Sequence, residues 1–193
     1  MILCDKSIRK LVKAHQMIEP FVEGVSDGVI SYGLTSAGYD LRLACEFLVF
    51  KNTFCQLVDP KRNDELYLQQ MFDRITVPAG ETFRIPAYGY VLGRSVEWLR
   101  IPSTLKGHCI GKSTFARSGI LINTTPLESG WIGHLTIEIS NLNPNPAVLY
   151  PGEGIAQLEF HVLDEAPEID YAQKRGKYQG QTGVTPARMT REG

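Results

Sequence analysis

No stretch of about 18 consecutive apolar residues occurs in the sequence, which excludes a helix that crosses a bilayer. The opening residues Met1-Ile2-Leu3-Cys4-Asp5-Lys6 lack the basic-then-apolar order of a secretory leader, so a cytoplasmic location is expected. Neither sign of charge is in excess: 20 Lys and Arg stand against 21 Asp and Glu, a formal net charge of -1. Surfaces that track nucleic-acid phosphates carry surplus Lys and Arg, so no nucleic-acid partner is expected, and any anion must be met by a local cluster. Cysteine is scarce. The four residues Cys4, Cys45, Cys55 and Cys109 contain no Cys-x-x-Cys pair and read as reduced thiols filling core space, not as a disulfide framework. Internal repeats are lacking, and low complexity is confined to Asn141-Leu142-Asn143-Pro144-Asn145-Pro146, whose residue types favour a turn.

What is present suffices for one domain. Hydrophobic residues are 43% of the 193, and a chain of this length buries roughly 70% of its unfolded surface. Asp5 is placed to cap an amphipathic helix in which Ile8, Leu11 and Val12 recur at helical spacing, stopped by Glu19-Pro20. From Val29 onward the pattern becomes short apolar or alternating segments punctuated by Gly, Pro, Asn and Ser, as in an all-β sandwich or barrel with the helix as a lid. Strands are predicted over 39–50, 76–77, 81–85, 89–97, 105–110, 121–123, 133–141, 147–149 and 155–163. The polar stretch 56–73, which contains Pro60, reads as an excursion with a helical turn near 65–71. The last segment, 174–193, carries Gly176, Gly180, Gly183 and Pro186 and has little to bury, which predicts a flexible tail.

Three segments carry chemistry. Gly111-Lys112-Ser113-Thr114 invites a P-loop reading, but the spacing fails because Lys106 stands where the first Gly is required. The run Lys112-Ser113-Thr114-Phe115-Ala116-Arg117 nonetheless groups two cations and two hydroxyls at a turn, a cradle for phosphate oxygens. In Gly133-His134-Leu135-Thr136-Ile137-Glu138-Ile139-Ser140-Asn141, period two puts Leu135, Ile137 and Ile139 on one face and His134, Thr136, Glu138 and Ser140 on the other. That face is either a solvated strand surface or, within a cleft, the setting of a general base at Glu138. His134 with Glu138, or His108-Cys109, suggests a metal, yet the His-x-Glu and Pro-Cys-x-x-Cys elements of zinc nucleotide deaminases are missing. The tail run Lys174-Arg175-Gly176-Lys177-Tyr178-Gln179-Gly180-Gln181-Thr182-Gly183 combines cations with glycine hinges and can close over a polyphosphate.

Taken in order, Ser36-Ala37-Gly38-Tyr39-Asp40-Leu41-Arg42, Ile110-Gly111-Lys112-Ser113-Thr114-Phe115-Ala116-Arg117-Ser118-Gly119, Asn123-Thr124-Thr125-Pro126-Leu127-Glu128, Thr136-Ile137-Glu138-Ile139-Ser140-Asn141 and Gly176-Lys177-Tyr178-Gln179-Gly180-Gln181 resemble the dCTP deaminase family of the dUTPase-like superfamily. The resemblance spans nearly the whole chain. It implies a mainly β, distorted jelly-roll-like barrel forming one domain over 1–193, with 174–193 as a flap. It also implies a homotrimer with sites between subunits, and conversion of dCTP and water to dUTP and ammonia, supplying dUTP toward dUMP and dTTP. The family does this without catalytic zinc, and Mg²⁺ is expected on the triphosphate rather than on protein ligands. By position, Glu138 matches the catalytic glutamate, and Ser113 and Arg117 match the residues that hold the water and the reacting base. Lys112, Ser113, Thr114, Phe115, Ala116 and Arg117 fall in the nucleotide-binding run, and the resemblance implies nucleotide contacts also at Glu128, Trp131, Thr136, Ile137, Gln157, Tyr171, Lys177, Tyr178 and Gln181.

One departure stands out: Thr124-Thr125-Pro126-Leu127-Glu128 is shorter than in members that carry a His-Arg pair here, and it has no arginine. Glu128 takes the place where an Asp often meets the deoxyribose 3′-OH. The resemblance further implies dTTP as an inhibitor in the same pocket. A dUTPase, or a bifunctional enzyme releasing dUMP, is the rival reading, since Ser36 to Leu41 and the Gly-rich tail also resemble that relative. A trimeric barrel that only binds nucleotide is the non-enzymatic alternative.

Overall fold

A computed structural model describes residues 1–189. The chain opens with α1 (Asp5–His15), whose Ile8 is fully buried against the core. Cys4, not Asp5, is the residue that caps this helix, and it does so without a side-chain hydrogen bond. Asp5 lies in the first turn instead, paired with Arg9 at 2.9 Å, while Arg9 also holds Glu23 at 2.9 Å. The helix ends at Gln16 in the left-handed conformation, ahead of the expected stop at Glu19-Pro20.

Among the described residues twelve strands follow: β1 (Ile18–Glu19), β2 (Gly33–Thr35), β3 (Gly38–Arg42), β4 (Glu46–Phe50), β5 (Phe72–Thr76), β6 (Phe83–Ile85), β7 (Tyr90–Arg100), β8 (Leu105–Gly111), β9 (Ile120–Asn123), β10 (Ile132–Asn141), β11 (Ala147–Leu149) and β12 (Gly154–Val162). Two short helices interrupt them, α2 (Glu65–Met71) before β5 and α3 (Ser113–Arg117) before β9. One sheet runs β5-β4-β7-β10-β9 with β1 added to β7, a second runs β2-β3-β12-β8, and β6 pairs with β11. Among the described residues every pairing between these strands is antiparallel, including that of β8 with β12, so no parallel crossover of P-loop type surrounds Lys112. The sheets wrap one core into a distorted jelly-roll-like barrel.

The predicted single strand over 39–50 is two strands in different sheets. The chain turns the corner at Leu43 and Ala44, whose N–H groups donate to the carbonyls of Glu153 and Arg94. Both residues are buried, so the hydrophobic run continues through a change of sheet and hides it. A second link crosses the same corner: Arg42 on β3 donates from Nε and from its backbone N–H to the two carboxylate oxygens of Glu97 on β7, at 2.7 and 2.9 Å. Burial pushes the Glu97 carboxyl up in spite of this pairing.

Tyr39, Leu41, Phe47, Leu99, Ile137, Ile155 and Phe160 fill the centre, with Phe47 stacked on Phe83 at 4.2 Å. Each such side chain contributes on the order of 1.5–3 kcal/mol by burial, which accounts for a stable fold in the absence of cross-links. All four cysteines are free, as expected; Cys109 is buried and the half-buried Cys45 packs against the core, whereas Cys4 and Cys55 are exposed, so the expectation that these thiols fill core space fails for those two. Among the described residues no helix is long and apolar enough to cross a membrane.

Candidate active site

The β10 alternation is realised as read: inward residues are buried and the intervening ones are half-buried along the whole strand. Strands β7 and β9 flank it, with Glu138 opposite Leu92 on one side and Asn123 on the other. Thr136 and Glu138 project into a cavity of about 570 Å³. Leu135, buried in the core face, also borders this cavity, beside the register shift between His134 and Thr136.

The wall around Glu138 is aromatic and aliphatic. Phe50, Phe72, Tyr90 and Leu92 line it, with Phe50 edge-on to Phe72 at 4.6 Å and to Tyr90 at 5.4 Å. Such surroundings solvate a carboxylate poorly, so the protonated form gains relative to the ionised one. Burial raises the Glu138 pKa from 4.5 to about 7. Its Oε2 is shielded from solvent and has no hydrogen-bond partner. A buried polar atom without a partner is rare in folded proteins and marks a place where a ligand or water completes the bonding. Burial and the nearby Glu138 charge also push the Tyr90 phenol up to about 12. His134, on the same strand face, is engaged elsewhere: its Nδ1 lies 3.1 Å from the Glu97 carbonyl, and its ring stands edge-on to Trp98. Burial and then the Arg94 charge lower its pKa, which keeps the ring neutral.

The C-terminal segment forms the roof. Gln181 pairs in parallel with Gly133; the His134 N–H donates to the Gln181 carbonyl at 3.0 Å, and Gln181 Nε2 donates to the His134 carbonyl at 2.6 Å and to Thr136 Oγ1 at 3.3 Å. The Thr185 N–H reaches Thr136 Oγ1 as well. Trp131 Nε1 donates to the Tyr178 carbonyl at 2.9 Å. Two glycines make this closure possible. A Cβ at Gly176 would lie 2.0 Å from the Tyr171 ring, and Gly133 has φ +151 with Gln181 3.1 Å from where its Cβ would be. The expectation that the tail has little to bury is corrected here: Gln181, Val184 and Thr185 are all buried, Val184 against Leu48 and Leu92. The end of the predicted flap, 190–193, lies outside the described residues.

Eight of the residues singled out from the sequence line this one cavity: Glu128, Trp131, Thr136, Glu138, Tyr171, Lys177, Tyr178 and Gln181. Ile137 does not, because its side chain is fully buried in the core. The cradle residues are elsewhere on the same chain. Ser113, Thr114, Ala116 and Arg117 are exposed on α3, and Thr114 and Phe115 border a second cleft of about 1090 Å³ with Ser31, Asn143 and Tyr150. Lys112 is already paired, its ammonium held by the buried Asp40 and by Ser31 Oγ at 3.0 Å. Gln157 Nε2 donates to the other Asp40 oxygen at 3.1 Å. Sequence reasoning missed a third wall: Asp59, Arg62, Tyr67 and Met71, from the excursion read as lying apart from the barrel, also face Glu138's cavity. Asp64 caps α2 by accepting from the Tyr67 N–H at 3.0 Å, in line with the helical turn read near 65–71, but nothing in the segment's composition marks it as lining a cavity.

The fold is thus an antiparallel barrel with a desolvated carboxyl in a cavity that the C-terminal segment lines. The family profile described as dCTP deaminase-like matches residues 2–163, and the chain belongs to that family. It is 46% identical to the dCTP deaminase of Herpetosiphon aurantiacus over 189 residues, covering 97% of this chain and 99% of that one. The dCTP deaminase of Roseiflexus castenholzii is 49% identical with the same coverage, and that of Chlamydia abortus 48% over 94% and 95%. Among solved structures, the 2′-deoxycytidine 5′-triphosphate deaminase of Agrobacterium tumefaciens shares the fold with a TM-score of 0.60 at 20% identity, over 83% of this chain. The chain spans about half of that longer protein, 47%.

Proposed function

We propose that this chain deaminates dCTP to dUTP and ammonia by a Glu138-activated water. The observation that carries the reading is the Glu138 carboxyl, which faces the cavity with Oε2 unpartnered and a pKa lifted to about 7. A carboxyl poised near neutrality can take a proton from water and give it back within one turnover. Glu138 thus takes a proton from water as the hydroxide adds to C4 of cytosine and delivers it to N3; it then takes the proton of the new C4 hydroxyl and passes it to the amine, so that the C4–N bond breaks, ammonia leaves and the C4 carbonyl of uracil forms. Near-identical relatives in length that are named dCTP deaminases support the substrate.

Water positioning by Ser113 and charge stabilisation by Arg117 complete the reaction in this reading. Both are exposed on α3 and neither borders the Glu138 cavity, so they serve the cavity of a neighbouring copy in a homotrimer. Arg117 and the tail cation Lys177 offset the triphosphate charge. Among the described residues no group of three metal-ligating side chains converges in the cavity. Mg²⁺, which favours phosphate oxygens and water, enters with the nucleotide as part of the substrate in this reading. dTTP competes for the same pocket. Assaying ammonia, dUTP, dUMP and pyrophosphate separately after incubation with dCTP tests the proposal: dUTP and ammonia in equal amounts are expected, dUMP with pyrophosphate reveals the bifunctional alternative, and no turnover refutes both.

The pKa has a measurable consequence. A general base works ionised, so kcat/KM should rise with pH through an apparent pKa near 7 and level off above it. Stability moves the opposite way. Native Glu138 keeps its proton between the ordinary value of 4.5 and about 7 while the unfolded chain has released it, so stability from this group falls as pH rises through that window. Glu138→Gln should accordingly raise Tm at pH 8 and change it little at pH 4.5, by calorimetry at the two pH values; equal shifts at both would contradict the assigned pKa.

The roof predicts a separate effect. Gln181→Ala removes the bonds to His134 and Thr136. It should make the tail cleavable by trypsin at Lys174 to Lys177 and lower kcat/KM for dCTP by about 10–100-fold, since closure excludes water and orients the substrate. An unchanged kcat/KM would show that the tail is not a working part.

A further inference from the structure

We propose that His108, Glu159 and His161 form a binding site for a divalent transition-metal ion of the zinc class, separate from the reaction proposed above. The strands dictate the arrangement. On β8, Lys106, His108 and Ile110 alternate with the buried Leu105, Gly107 and Cys109, so His108 faces outward. On β12, Glu159 and His161 alternate with the buried Leu158 and Phe160 and face the same way. The register sets Glu159 directly opposite His108 and His161 opposite Lys106, which places the second imidazole diagonally across from the first.

The resulting distances suit one ion. His161 Nε2 lies 3.3 Å and His108 Nδ1 3.8 Å from the same oxygen, Glu159 Oε2, and one ligand atom from each of the three residues lies within 4.8 Å of the others. Ligands at about 2.0–2.1 Å in a tetrahedral zinc site are separated from one another by roughly 3.3–3.5 Å. Two of the three pairs are already near that spacing. Rotation of His108, whose side chain is 54% exposed, brings in the remainder. Two imidazoles and one carboxylate favour zinc, cobalt, nickel or copper over Mg²⁺ or Ca²⁺, which prefer all-oxygen sets. Three protein ligands leave the fourth position to water.

None of the three residues lines the Glu138 cavity or the second cleft. The ion is accordingly a structural clamp. It would tie β8, the end strand of its sheet, to β12, and β8 runs directly into Lys112 and α3. The linear sequence offers only the neighbours His108 and Cys109. Cys109 points into the core, where burial pushes its thiol up to about 12, so the true partners of His108 emerge only from the strand register.

The test is titration of full-length, EDTA-treated and dialysed protein with Co²⁺, followed by visible absorption, and with Zn²⁺ by calorimetry. One ion per chain is expected. His108→Ala, His161→Ala and Glu159→Gln should each weaken binding at least about tenfold while leaving ammonia release from dCTP unchanged. These side chains are exposed or half-exposed, and circular dichroism checks that each variant folds; should one not, the other two carry the test. The exposed thiols of Cys4 and Cys55 also attract Zn²⁺, so Cys4→Ser and Cys55→Ser serve as controls. No stoichiometric Co²⁺ binding, or binding that survives the histidine substitutions and disappears with the serine ones, overturns the proposal.

Discussion

Replacing Glu138 by Gln is expected to leave dCTP binding within a few-fold of the native protein and to lower ammonia release by ~10³-fold or more, the scale on which a positioned acid–base group acts. Gln keeps the volume of the side chain beside Leu92 and Tyr90, which line the same cavity, so the cavity survives. What it loses is the capacity to take a proton. Because the native carboxyl sits half-buried with one oxygen unpartnered, the variant exchanges a group that resists ionisation for one that never ionises, and binding of the neutral cytosine ring gains or loses little. Calorimetric titration with dCTP and a coupled ammonia assay read the two quantities independently. The residual rate of the variant should also lose the rise with pH through about 7 that the native carboxyl imposes. A variant within tenfold of native turnover would remove Glu138 from the chemistry. One that fails to bind dCTP would make it a binding residue instead.

The strand that carries this group was legible because one of its faces is buried and the other is not. Leu135, Ile137 and Ile139 are 6% exposed or less, and that contrast is what alternation encodes. Corners carry no such contrast. Leu43 and Ala44 are as buried as the strands they join, so the switch from β3 to β4 left no trace in hydropathy. The site was legible in the same measure. Polar residues on β10 and in the tail were found together because each lies on a segment with its own local signal, whereas Arg62 and Tyr67 come from a polar excursion with ordinary loop composition. Lys112 shows the converse. Its charge was visible, but its partner Asp40 lies 72 positions away, and only the pairing of β3, β12 and β8 brings the two together. Composition likewise concealed the tail's anchor: a single Val184 and the amide of Gln181 are enough to seat it, since β10 already offers a backbone edge at Gly133 and His134.

The separation of α3 from the Glu138 cavity leads to the second large effect. If Arg117 serves a neighbouring copy, then chains with Glu138→Gln and chains with Arg117→Ala carry complementary defects. Alone, each variant is nearly inactive. Loss of the arginine should cost about 10²–10³-fold, as removal of one preorganised charge-stabilising donor does. Co-expressed at equal levels, the two chains associate at random. A site is whole when its carboxyl comes from an Arg117→Ala chain and its arginine from a Glu138→Gln chain, so about a quarter of the native activity should return in a cyclic assembly with heterologous contacts. Were both groups to act within one chain, every site in the mixture would contain one defect, and activity would stay at the level of the separate variants. The measurement is the specific ammonia release of the mixture beside that of each variant alone, with oligomer mass determined by light scattering. Arg117 is exposed and makes up the last turn of a five-residue helix, so its truncation leaves the barrel core untouched, and the absence of recovery would count against a shared site and not against folding.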